Sequence, residues 1–147
     1  MKTKRKHSYA RKNFDEFVRG YIDAALWSST DNADESGGEP LDKNYSRSNI
    51  AASSLKSIKR VCARFLKANS EDLYQYVNEV EYDSSQGSAW DYAGHDFWLT
   101  ANGHGAGFWD RRGVDRELGR RLSDAAHEFA SDMYVGDDDQ IYVSPER

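Results

Sequence analysis

A chain of 147 residues holds one domain and a modest core, and its lone Cys62 excludes an internal disulfide framework. Hydrophobic residues make up 38 %, charged residues 31 % and aromatics 13 %, so a small core must lean on large rings and the ends are expected to be disordered. No apolar run approaches bilayer-spanning length, and the basic start has no apolar stretch behind it, so neither a membrane span nor a secretory signal is expected and the chain reads as cytoplasmic.

The net charge of −5 conceals segregated blocks. Residues 1–12 hold six bases, 28–42 five acids, 43–69 seven bases, 70–91 six acids and 124–139 six acids, each block without the opposite sign. Such segregation gives either distinct surface fields or helices laid side by side to neutralise one another.

After a basic tail over 1–12, Asn13 is placed to cap a helix over about 14–27. Phe14, Phe17, Val18, Tyr21, Ile22, Ala25 and Leu26 recur there at helical spacing. The polar, breaker-rich stretch that follows predicts a mobile acidic loop over 28–45. A second helix, 48 to 68, places Leu55, Ile58, Val61, Cys62, Phe65 and Leu66 on one face. Lys56, Lys59, Arg60, Arg64 and Lys67 fall on the other. That basic stripe could track a phosphate backbone or simply be the solvated side of the helix. Cys62, on the apolar face, reads as a small buried hydrophobe. Ser70 starts a short third helix with Leu73, Tyr76, Val77 and Val80 inward.

The run His95–Asp110 is the most distinctive part of the chain, with four aromatics, two histidines and two carboxylates around Asn102-Gly103. Asn-Gly is a strong hairpin signal, and a two-residue turn there sets Phe97 opposite Phe108, Leu99 opposite Ala106 and Trp98 opposite Gly107. Strand alternation then puts His95 and Asp110 together at the edge of the apolar face, and Trp98 and Trp109 together on the other. A histidine beside a carboxylate suits acid–base work or a structural bond closing the hairpin. Paired tryptophans suit a binding anchor or burial against a helix. His95, Asp96, His104 and Asp110 are metal-ligating types without a standard metal spacing, so no metal or other cofactor is expected.

Downstream, a helix from Val114 or Asp115 is expected to bury Leu118, Leu122, Ala125, Ala126, Phe129 and Met133. A final hairpin joins Tyr134-Val135 to Ile141–Val143 across Gly136–Asp139. The fold class is α+β: about four helices on a small antiparallel sheet made from the Trp-rich and C-terminal hairpins, in a single domain over 13–144.

Gly94–Thr100, Asn102–Gly105 and Gly107–Arg111, followed by Tyr134–Asp138 and Ile141–Val143, resemble a group of small bacteriophage-encoded accessory proteins sharing a GHDFWLT strand, an NGHG turn and GFWDR. The resemblance covers the C-terminal third to half of the chain and departs at Ala101, where the pattern has Arg. That family has no settled activity, so the resemblance implies a phage context inside a bacterial host.

Three functions compete on these residues. The chain binds and modulates a host macromolecule, a protein first, through Trp98, Trp109, His104, Arg111 and Asn102. It binds nucleic acid through the basic tail and the stripe Lys56, Lys59, Arg60, Arg64 and Lys67. Or it is a small enzyme using His95 and Asp110, with Asp96 or His104.

Overall fold

A computed structural model describes residues 10–31 and 38–147. Residues 1–9 of the expected basic tail and 32–37 of the expected acidic loop lie outside the described residues.

The first helix, α1, spans Arg11–Ser28. It begins two residues before Asn13, with Ala10 at the N-cap, so Asn13 does not cap it and Arg11 and Lys12 of the tail are helical. Its expected stripe is buried from Phe17 to Leu26. The described part of the acidic loop is structured. Strand β1 (Thr30–Asp31) pairs antiparallel with β2 (Glu39–Pro40), and a 3₁₀ turn over Leu41–Lys43 follows. Leu41, fully buried, anchors that segment to the core.

Helix α2 spans Ala52–Ala68 and starts later than the sequence indicates. Arg47–Asn49 form a separate 3₁₀ turn under a Ser46/Asn49 capping box, and Ile50 is drawn into a bridge with Ile141. Helix α3 spans Ser70–Glu79.

The decisive departure is α4, Ala89–Ala101. The expected Trp-rich hairpin does not exist; its first half is a helix. Ser88 accepts from the Asp91 N–H while Asp91 accepts from the Ser88 N–H, a reciprocal cap that starts the helix. Asn102-Gly103 ends it. Gly103 takes φ +67°, its N–H donates to the Thr100 carbonyl and the His104 N–H donates to the Leu99 carbonyl. This is a Schellman cap, which requires the same left-handed glycine that a hairpin turn would use. The helix is buried on nearly every side, so no polar stripe marked its period.

The chain then turns through Gly105 and Gly107, both at positive φ, into a 3₁₀ turn over Phe108–Asp110. Helix α5, Arg116–Ala126, is capped by Asp115. It stops before Met133: Phe129 sits in a 3₁₀ turn and Met133 in strand β3 (Asp132–Val135). β3 pairs with β4 (Ile141–Ser144) in the expected hairpin, Tyr134 opposite Tyr142. The fold class is α+β; among the described residues there are five helices and two separate two-stranded sheets that do not merge.

The core centres on Phe97. Its ring stacks on Phe65 at 3.9 Å, with Phe17 at 5.9 Å, Tyr21 at 5.4 Å and Phe129 at 5.6 Å. Helix α4 reaches that position by lying directly on α1. A side chain on Gly20 would collide with the Asp91 carbonyl, and one on Gly94 with the Phe17 carbonyl. Two glycines thus let the backbones touch and set the depth of α4 in the fold.

Candidate functional site

The close α1–α4 contact aligns side chains along one edge. On α1, Arg19, Asp23 and Trp27 recur every fourth residue and all are exposed. On α4, Asp91, Tyr92 and His95 face the same edge. Arg19, Asp23, Asp91, Tyr92 and His95, together with Arg47, the loop Ser84–Gly87 and Arg111, line a cleft of about 740 Å³.

Each arginine in the cleft has a carboxylate partner. Arg19 donates from Nε and Nη2 to the two oxygens of Asp91, at 2.8 and 2.6 Å. Burial alone would raise the Asp91 carboxyl, but this fork and the Ser88 N–H hold it below the usual carboxylate range. Arg111 grips Asp96, whose side chain is wholly buried, and Tyr76 donates to the same carboxylate at 2.5 Å. Burial and the Asp96 charge push the Tyr76 hydroxyl well above its usual value. The Arg111 guanidinium also lies over the Tyr92 ring, 5.7 Å from its centre. Arg47 stands 3.6 Å from Asp23, a looser pair between two half-exposed side chains. Burial raises the Asp23 carboxyl, against the pull of Arg47 and Arg19.

His95 lies among these groups. Its ring stacks on Trp27 at 6.2 Å, and no hydrogen bond to it forms among the described residues. Burial pushes its pKa down, partly countered by Asp96 and Asp23 and reinforced by Arg111. It is therefore a neutral imidazole near neutral pH. At the rim, Trp27 is 57 % exposed and Tyr82 is 42 % exposed, with Tyr82 tilted against Tyr92 at 5.6 Å.

The expected site residues divide between two places: Trp98, Asn102 and His104 line a second cavity, and His95 and Arg111 line the cleft. His95 and Asp110 form no pair, because the hairpin register that would join them is absent; Asp110 lies in the exposed 3₁₀ turn after the loop. Trp98 and Trp109 share no face. Trp98 is buried with its indole N–H donating to Ser28 Oγ at 2.7 Å, whereas Trp109 is 57 % exposed. Asp96 is core, not cleft. Asn102 is structural too: its amide donates to the Trp98 carbonyl and its oxygen accepts from the Ser131 N–H. His104 is exposed and borders the second cavity, with Ser28–Asp31 and Ser131–Val135. Among the described residues no cluster of three or more His, Cys, Asp or Glu could hold a metal.

The basic stripe of α2 is exposed, as its period indicates. Two of its members are engaged: Arg60 donates to the Arg147 carbonyl at 2.7 Å, and Arg64 lies over Phe129. Lys56, Lys59 and Lys67 remain as its exposed lysines.

Arg19, Asp23, Arg47 and Tyr92 in the cleft, and Trp27 and Tyr82 against its lining rings, were not legible as a site. The one available signal was Trp27, an indole on the polar face of an amphipathic helix. No protein family, no curated protein and no solved structure matches the chain.

Proposed function

We propose that the chain is a non-catalytic accessory protein that binds and modulates a host protein through the face around the His95 cleft. The observation carrying this reading is Trp27, more than half exposed yet stacked on His95, at the rim of a cleft with three arginines. Trp, Tyr and Arg are the side chains that dominate interface energies, and here they are already held in place by ring and carboxylate partners.

The resemblance of Gly94–Arg111 to phage accessory proteins supports a bacterial host and a cytoplasmic setting. No described helix is long and apolar enough to cross a membrane. The test is capture from nuclease-treated bacterial lysate with a tagged chain and folded variants. One protein recovered near stoichiometry, lost with Trp27→Ala/Tyr82→Ala and kept with Trp109→Ala, supports the reading. Recovery of nothing, or loss only with Trp109→Ala, overturns it.

A further inference from the structure

We infer that the cleft is a carboxylate seat, taking an acidic side chain from an extended segment of the partner; the inference rests on the protein-binding reading above. Arg19 and Arg111 each commit Nε and Nη2 to a carboxylate behind them, which fixes the plane of each guanidinium. A guanidinium carries five donors in a fixed fork, so the edge of each that its carboxylate does not hold is oriented. Arg111 remains a quarter exposed and Arg19 somewhat less than half exposed. Arg47, bound only loosely to Asp23, is the cation freest to swing toward a ligand.

Formal charge selects the class of anion. Arg19, Arg47 and Arg111 line the cleft with Asp23 and Asp91, while Asp96 lies in the core behind Arg111, so the lining carries one more cation than anion. A phosphate group carries about −1.5 to −2 charges near neutrality and would be repelled by Asp23. A carboxylate, with one charge and two oxygens, fits the leftover fork edges at lower electrostatic cost. His95 adds a neutral ring able to donate one hydrogen bond, and Ser84, Ser85 and Gln86 supply polar groups for a peptide backbone. Trp27 and Tyr82 flank the cleft as apolar shoulders.

The test uses the full chain, isotopically labelled, titrated with an acetylated, amidated Gly-Glu repeat peptide, its Gly-Gln counterpart and inorganic phosphate. The Glu peptide is expected to shift the Arg19 and Arg111 Nε–Hε signals and the His95 ring protons saturably. The Gln peptide should leave them still, and Arg47→Glu should weaken binding at least about tenfold, 1.4 kcal/mol. Silent signals with the Glu peptide, equal response to the Gln peptide, or tighter response to phosphate each overturn the inference. A chain that still captures its partner through Trp27 and Tyr82, with affinity unmoved by Arg47→Glu, keeps the protein-binding reading and discards the carboxylate seat.

Discussion

Arg111 reaches back from the loop after α4 to close a fork on Asp96, a carboxylate with no solvent exposure, which also accepts the Tyr76 hydroxyl. One buried acid thereby ties α3, α4 and the Gly-rich loop together, and the same bond fixes the guanidinium that lines the cleft. A fully buried charge is tolerated only when its partners are complete.

Removing one partner should therefore be severe. Arg111→Met leaves buried Asp96 without its cation, with only the Tyr76 hydroxyl still donating to it, and urea unfolding should show a loss of about 3–5 kcal/mol. Arg121→Ala breaks a more exposed fork to Asp72 and should cost under about 1 kcal/mol. The double variant Asp96→Leu/Arg111→Met should recover part of the loss. Equal small effects from Arg111→Met and Arg121→Ala would show that the Asp96 pair does not hold the loop.

Alanine at Gly20 or Gly94 should destabilise, although alanine is favoured over glycine inside helices by about 1 kcal/mol. Each added Cβ would meet a backbone carbonyl of the opposing helix, which cannot turn aside. Overpacking of this kind costs about 1–3 kcal/mol. Thermal unfolding of the two variants gives the sign directly.

His95 should make stability fall on acidification. Its pKa is depressed in the folded chain, so the unfolded chain binds more protons and stability rises with pH. The stability is fully present above the unfolded value near 6.5 and is lost as pH falls through the depressed folded value. His95→Asn should flatten the slope of unfolding free energy between about pH 7.5 and 5 relative to the parent chain.

Cys62 should be inert to thiol reagents in the native state. It is wholly buried in the core, and burial pushes its thiol far above the ordinary range. Reaction should be slow in buffer and immediate in denaturant; fast native labelling would show that α2 opens readily.

The helices flanked by polar faces were legible because burial on one side leaves a 3.6-residue period. α1, α2, α3 and the stripe of α5 from Leu118 to Ala126 follow it, and the Tyr134–Val143 hairpin follows its turn residues. α4 was misread for a physical reason. Buried all round, it shows no period, and Asn102-Gly103 serves a helix cap as readily as a hairpin. The Ser88/Asp91 capping box was the signal that could have separated the two. The site is regrouped with it: Trp98, Asp96 and Asn102 make hydrogen bonds within the fold, Trp98 and Asn102 border the second cavity beside His104, and His95 and Arg111 line the cleft. The run Gly94–Arg111 is thus chiefly a folding signature. Its one member in the cleft besides His95 is Arg111.

The most direct test places a photo-activatable phenylalanine analogue at position 27, 82, 109 or 134 of the chain and irradiates it in bacterial cells. One discrete cross-linked protein is expected from positions 27 and 82, beside the cleft, and none from exposed positions 109 and 134. Cross-links from 109 or 134 alone, or an even smear from all four, would contradict a binding face built around Trp27 and His95.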